Sequence, residues 1–390
     1  MHYNADMKFV NRAYKYRFYP TKEQIYQLAC SFGCSRFVYN RFLKLRTDAY
    51  YDKKEKINYH KTSELLTNLK KEKDFAWLND ISSVVLQQTL RNLDKAFTNF
   101  FAARARYPQF KKRNSKQSIR LVNTAFSFSN GKLTIAKNKD PLDIRWSRSF
   151  KGEPSSITIS KDCADRYFVS FSVEEQVFEL PKIEKTIGID VGIKDVCVTS
   201  DEFRSGSEQN LRKYEMELTK RQRQLSKKVK GSKNRAKAKL KVAKVHAKIS
   251  DSRSDFNSKL TTKLICENQA IAVESLNVKG MMKNHKLAKS IMDSSWGDFF
   301  RKLKYKAEWY GRELLEIDRW FPSSKRCNHC GYINNGLKLS DRTWECPSCK
   351  CILDRDINAA KNILTVGLAG LAFGDSGRLG IENSVQSGSL

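Results

Sequence analysis

At 390 residues with 40% hydrophobic side chains, the chain can bury more than one core, and roughly two to four domains are expected. Its 73 Lys and Arg against 42 Asp and Glu leave a formal net charge of +31, far beyond what solubility requires, so a polyanionic partner is expected. No apolar run is long enough to span a bilayer and the amino terminus carries no signal-peptide pattern, which points to a soluble intracellular protein.

In chain order, Ala13 to Pro20 alternates as a strand with basic residues on one face. Thr21 with Gln24 is a capping-box signature, and Ile25, Leu28, Ala29 and Phe32 form a helical stripe. Gly33 is expected to break that helix, so the second stripe through Phe37, Val38, Phe42 and Leu45 would complete a helix-turn-helix. Leu86, Leu90, Leu93, Phe97 and Phe100 mark a further helix, and Tyr107 to Arg113 ends the region in a basic turn. These stripes are plain helical core for the most part.

From about Ser118 to Glu175 the pattern becomes alternating, with Asn130-Gly131 as a hairpin signal, which predicts a small β-barrel or half-barrel enclosing the helices as an insertion. Pro181 to Lys185 reads as a linker. Thr186 to Asp190 then predicts a strand with Ile187 and Ile189 on one face and an acid at its end, followed by a tight turn at Gly192 and a second strand over Ile193 to Thr199. Ala270 to Glu274 repeats the pattern of a strand ending in an acid. Between the two acids lies a basic helical hairpin, about Asn210 to Cys266, turning at Gly231-Ser232; Lys227, Lys228, Lys230, Lys233, Arg235 and Lys237 suit a phosphate backbone, although charge runs are often only solvated faces. Trp296, Phe299, Phe300, Leu303, Ala307 and Tyr310 mark a core helix, and Glu313 to Ile317 another strand.

Cys327-x-x-Cys330 and Cys346-x-x-Cys349, separated by 15 residues, match a tetrahedral four-cysteine zinc ribbon. Cys351 could replace Cys349 or pack nearby, and His329 is a weaker ligand candidate. The other cysteines, Cys30, Cys34, Cys163, Cys197 and Cys266, are scattered, which fits a reducing compartment and not a disulfide framework. Arg326, Lys338, Arg342, Trp344 and Lys350 offer positive charge and an aromatic for nucleic-acid contact. Asp354-Arg355-Asp356 then opens a last helix, and the Gly- and Ser-rich tail to Leu390 is expected to be disordered. Strand acid, strand acid and helix acid, here Asp190, Glu274 and Asp356 or Asp354, is the layout of an RNase H-like nuclease site. Residues two apart on a helix point roughly 200° apart, so only one of the last two can serve; Asp356 shares a face with Ala359, Ala360 and Ile363, leaving Asp354 as the cap.

Ser290 to Gly297, Tyr305 to Glu308, Arg319 to Cys327, Asp354 to Ile363, Phe18 to Thr21 and Tyr107 to Lys111 together resemble the TnpB family, encoded by insertion sequences and similar to type V CRISPR effectors. The resemblance covers nearly the whole chain. It implies an α+β multidomain fold: a wedge β-barrel (1–20 and 114–181), an inserted helical recognition lobe (21–113), a RuvC-like α/β nuclease core (182–323 and 352–370) holding the basic hairpin (210–266), a target-binding zinc ribbon (324–351) and a tail (371–390). It further implies an RNA-guided DNA endonuclease, with a guide RNA from the element's end, one chain per RNA, a double-stranded DNA target beside a short motif, and a cytoplasmic, nucleoid-associated setting in a prokaryote.

The residues suit that chemistry. Phosphodiester hydrolysis is served by two Mg2+ ions about 3.5 to 4 Å apart, which need few carboxylates because Mg2+ keeps several waters. Asp190 would bridge both ions, with Glu274 on one and Asp356 on the other, while one structural Zn2+ would sit on Cys327, Cys330, Cys346 and Cys349. The alternatives are a nuclease-dead RNA-guided repressor, a guide-independent junction resolvase, which would not need the inserted lobe, and a zinc-ribbon DNA-binding protein, which leaves the strand acids unexplained. A transposase would need a His-hydrophobe-His pair with a tyrosine nucleophile, and none is present.

Overall fold

The computed structural model describes residues 7–207, 210–285, 287–338 and 340–372; the tail expected to be disordered lies, from residue 373 on, outside the described residues. Among the described residues two compact units emerge, one formed by Phe9–Gln176 with Lys239–Lys244, the other by residues 7–8, 177–238 and 245–372.

In the first unit β1 (Met7–Tyr19) is followed by α1 (Lys22–Lys53), α2 (Tyr59–Leu69) and α3 (Ser83–Phe101). Then come β2 (Gln117–Val122), β3 (Phe126–Ser129), β4 (Lys132–Ile135), β5 (Asp143–Arg145), β6 (Pro154–Lys161) and β7 (Tyr167–Phe178). The sheet order β2-β6-β7-β1-β5 places β1 inside a five-stranded sheet, so the helices are inserted between strands of one sheet. Alternation buries Tyr14, Tyr16 and Phe18 of β1 in one cluster with Leu28, Phe42 and Leu93 of the helices and Ile157, Val169 and Phe171 of β6 and β7. At the β3-β4 turn Asn130 and Gly131 both have positive φ, 51° and 73°, the left-handed pair that a two-residue hairpin requires.

The helix-turn-helix expectation is corrected here. The Thr21 hydroxyl accepts from the Gln24 N–H and the Gln24 side chain accepts from the Thr21 N–H, starting the helix as the sequence predicts, but α1 then continues unbroken for 32 residues. Glycine in a helix interior costs only about 1 kcal/mol relative to alanine. Against that, the buried positions Leu28, Phe32, Ser35, Tyr39 and Phe42 keep their three- and four-residue spacing across Gly33. Burial of one continuous stripe therefore outweighs the local break.

The second unit carries β8 (Thr186–Asp190), β9 (Val198–Thr199), α4 (Asn210–Ser226), α5 (Lys233–Glu267), β10 (Ala270–Glu274), α6 (Val278–Met281), α7 (Ala288–Ser294), α8 (Trp296–Tyr310), β11 (Glu313–Ile317), β12 (Thr343–Glu345), β13 (Ile352–Asp354) and α9 (Arg355–Ala372). Its main sheet runs β11-β10-β8-β9, with β10 parallel to both neighbours and β9 antiparallel. The second strand of that β8-β9 hairpin is shorter than expected. Only Val198 and Thr199 pair, opposite Asp190 and Ile189, and residues 191–197 form a wide loop in which the Gly192 N–H donates to the Asp195 carbonyl at 3.1 Å.

Both faces of the sheet are covered. Ile187, Ile189, Ile271 and Val273 pack with Leu260 and Leu264 of α5 and with Phe299 and Leu303 of α8. The opposite face meets α9: a Cβ on Gly188 would lie 2.0 Å from the Ala360 carbonyl oxygen, and one on Gly367 would lie 2.6 Å from the Ala272 Cβ. Glycine at those two points lets the helix lie directly on β8 and β10. Between α4 and α5 the chain turns at Gly231, φ 86°, and Ser232 caps α5 by accepting from the Arg235 N–H.

Candidate active site

Strand periodicity and register build the acid site. Gly188↔Ala272 and Ile189↔Val273 are paired across β8 and β10. Asp190 and Glu274 are the next residues on each strand, so they end neighbouring parallel strands on the face that Gly188 and Ala272 present to α9. Asp356 lies in the first turn of α9, whose Ala359, Ala360 and Ile363 are fully buried. The three sequence-predicted acids thus converge on one end of one sheet.

Electrostatics agree. Burial, then the charge of Glu274, then that of Asp356, pushes the Asp190 carboxyl well above the usual carboxylate range, with Arg355 opposing. Burial also raises Glu274, offset by the Ser323 hydroxyl that donates to its Oε1. Acids forced together against their own repulsion are a donor set of hard oxygens suited to Mg2+. Among the described residues the groups of three or more ligand atoms that meet within 4.8 Å are built on the cysteines, and the three acids do not form such a group. Instead Asp356 faces two guanidinium groups, Arg204 at 3.7 Å and Arg342 at 3.5 Å.

These shifts carry a stability consequence. Raised carboxyl pKa values mean that the metal-free fold holds its protons to higher pH than the unfolded chain does, so stability falls as pH rises from the ordinary carboxylate range to the raised values. In EDTA, Asp190→Asn should match wild type in Tm near pH 4 and exceed it by a few degrees at pH 7.5. Calorimetry across that range is the check, and a constant Tm difference would refute the repulsion.

Several supporting contacts could not be read from the sequence, even where, as at Trp296, the residue belongs to a periodic core stripe. The Trp296 indole N–H donates to the Gly192 carbonyl at 3.2 Å, fixing the loop that follows Asp190. Arg204 reaches Asp195 at 3.4 Å and Asp354 at 2.8 Å. A cleft of about 640 Å3, reached from Asp356 through Arg342 at 3.5 Å, is lined by Lys194, Arg212, Lys289 and Arg342 together with Glu215 and Asp293. Motif spacing alone could have flagged only Asn358 and Asn362, two polar residues at i, i+4 among the buried positions of the helix.

The four cysteines of the two Cys-x-x-Cys pairs also come together, all within 4.8 Å of one another. Cys327 and Cys349 sulfurs are 3.7 Å apart and Cys330 and Cys346 sulfurs 3.5 Å. A tetrahedron with zinc-to-sulfur bonds of about 2.3 Å has edges of roughly 3.8 Å, so the set fits zinc. Cys351 falls outside it and groups with His329 around Cys349. One earlier expectation fails: Trp344 is not a surface aromatic for nucleic acid but is buried with Cys327 and Cys346 in the ribbon core, because the β12-β13 pairing turns it inward opposite Leu353.

Comparisons with known proteins follow the same map. A family profile described as "Probable transposase" (OrfB_IS605) matches residues 170–285, a "Cas12f1-like, TNB domain" profile matches 296–363, and a "Helix-turn-helix domain" profile matches 7–55, the segment that here folds as β1 and the single helix α1. A protein of Streptomyces pristinaespiralis named "Putative RNA-guided DNA endonuclease" is 47% identical, over 97% of this chain and 94% of its own. A similarly named Escherichia coli K12 protein, InsQ, is 30% identical, over 93% and 94%. The solved Cas12f1-sgRNA-target DNA complex shares the fold at a TM-score of 0.54 and 15% identity, covering 91% of this chain and 98% of that one. Sequence likeness over nearly the full length shows that the chain belongs to the TnpB family.

Proposed function

We propose that this chain is an RNA-guided DNA endonuclease whose RuvC-like site hydrolyses phosphodiester bonds of a target DNA, directed by a guide RNA from the end of its mobile element and by a short motif beside the target. The observation that carries this reading is the meeting of Asp190, Glu274 and Asp356 at one sheet end, with Arg342 linking Asp356 to a cleft lined by four cations. The names of the full-length relatives support it. In this reading Asp190, Glu274 and Asp356 hold the catalytic Mg2+ ions, with Asp190 shared. Bound divalent cations supply a nucleophile at neutral pH and stabilise charge on the phosphate. The chain's own part is to hold the carboxylates at fixed positions, and the cations of the cleft orient the strand. The first unit, sheet and inserted helices together, serves as wedge and recognition lobe. Among the described residues no helix is long and apolar enough to cross a membrane. The test is co-expression with the native flanking DNA, sequencing of the bound RNA, and cleavage of a matching DNA in Mg2+; a complex with no defined RNA, or cutting that ignores the RNA's sequence, would reject the reading.

The cysteine set is proposed to hold one structural zinc. Cys327→Ser or Cys346→Ser, each removing a fully buried sulfur, should lower zinc from one per chain to near zero and unfold the ribbon locally, whereas Cys351→Ser should keep its zinc. Metal analysis and protease sensitivity of residues 324–351 measure both. Normal zinc in Cys346→Ser, or its loss in Cys351→Ser, would reassign the ligands.

A further inference from the structure

We propose that Ser323 is the positioning residue of the Glu274 carboxylate, and that through it the four-cysteine ribbon sets how tightly the nuclease site holds its divalent cation. The proposal rests on Glu274 being a ligand of that cation.

Ser323 lies in the segment that leads from β11 into the ribbon, is only 6% exposed, and donates its hydroxyl to Glu274 Oε1. Its own backbone is held in turn. The Asn362 side-chain amide donates to the Ser323 carbonyl at 2.8 Å and to the Arg326 carbonyl at 2.6 Å. One helical turn earlier on α9, the Asn358 amide also donates to the Arg326 carbonyl, at 2.7 Å, and its Oδ1 accepts from the Asn328 N–H at 2.9 Å. Arg326 directly precedes Cys327, and Asn328 sits inside the first Cys-x-x-Cys.

Both asparagines are buried, at 2% and 4% exposure. A buried amide costs stability unless its hydrogen bonds are made, and alanine or leucine would suit a helix interior better, so packing alone does not account for two of them. Their spacing of four residues puts both on one face, and that face grips the ribbon's entry. The same helix presents Asp356 from its first turn. A continuous set of hydrogen bonds therefore runs from the first cysteine pair through Asn358, Arg326, Asn362 and Ser323 to Glu274.

A carboxylate held by one buried hydroxyl has a fixed orientation, and loss of such an outer partner typically weakens metal binding by about 10- to 100-fold. Zinc orders the Cys327 to Cys330 turn, so zinc loss should act in the same direction by releasing Asn328 and Arg326.

The experiment is Mn2+ binding to the full-length protein with its copurified RNA, followed by titration of the free-ion EPR signal for wild type, Ser323→Ala, Ser323→Thr, Cys346→Ser and Glu274→Gln. Ser323→Ala should weaken the site by about 10-fold or more with zinc content and Tm unchanged, Ser323→Thr should restore binding to within about 3-fold, and Cys346→Ser should weaken it too. Wild-type binding in Ser323→Ala beside lost binding in Glu274→Gln would overturn the positioning role while leaving Glu274 as a ligand. Wild-type binding in Glu274→Gln would instead remove the reading on which the proposal stands. Weakening in Ser323→Ala but not in Cys346→Ser would overturn the ribbon's part in it.

Discussion

Asp190→Ala is expected to lower target cleavage in Mg2+ by at least about 10^3-fold, roughly 4 kcal/mol of transition-state stabilisation, while guide-RNA and target affinities change by less than about 3-fold. The split follows from where the carboxylate sits. Asp190 ends β8 on the α9 face next to Glu274, and the burial and like charge that raise its pKa leave a cation as the natural partner of the ionised form. Under the proposed function its removal withdraws a carboxylate that would be shared by the catalytic ions. It takes nothing from the basic surface of a chain with a net charge of +31, and phosphate affinity scales with the cations engaged. Cleavage rates under single turnover and filter binding in Ca2+ separate the two effects. Equal loss of binding and cutting would show that Asp190 supports the fold and not the chemistry.

The acids were legible because a strand's two-residue period needs no tertiary information: Ile187 and Ile189, or Ile271 and Val273, announce a buried face, and the terminal acid must then lie on the other. The cysteine spacing was legible for a similar reason, since four thiolates near one ion leave few arrangements. Other features depend on contacts far apart in sequence. Whether Gly33 ends a helix depends on the core that receives Leu28 to Phe42, and that core includes strands more than a hundred residues away. Trp344 reads as an exposed aromatic until the β12-β13 register turns it inward. Ser323 offers no pattern at all. Its meaning lies in a hydrogen bond to a residue 49 positions earlier and in the two asparagines of a later helix.

The two aspartates that open α9 should separate just as sharply. Asp354 Oδ1 accepts from the Asp356 N–H at 3.1 Å and from the Ile357 N–H at 3.0 Å, which are the second and third helical residues, so Asp354 has the geometry of an N-cap. Its other oxygen is taken by Arg204 at 2.8 Å. Among the described residues Asp356 accepts no backbone N–H. It lies one residue into the helix from Arg355, on the face of Ala359, Ala360 and Ile363, and the approach of Ala360 to Gly188 brings that face onto β8. Among the described residues its carboxylate is met at 3.5 Å or more by the two arginines, a loose contact that a divalent cation can displace. Asp356→Asn should therefore lower cleavage by at least about 10^3-fold at unchanged Tm. Asp354→Asn keeps an Oδ1 for the cap and should stay within about 10-fold of wild type, whereas Asp354→Ala should cost about 1 kcal/mol of stability. Rates are to be compared at matched target affinity. If Asp354→Asn abolishes cutting and Asp356→Asn does not, the ligand is Asp354, and Arg204 is then the side chain that must leave when the metal enters.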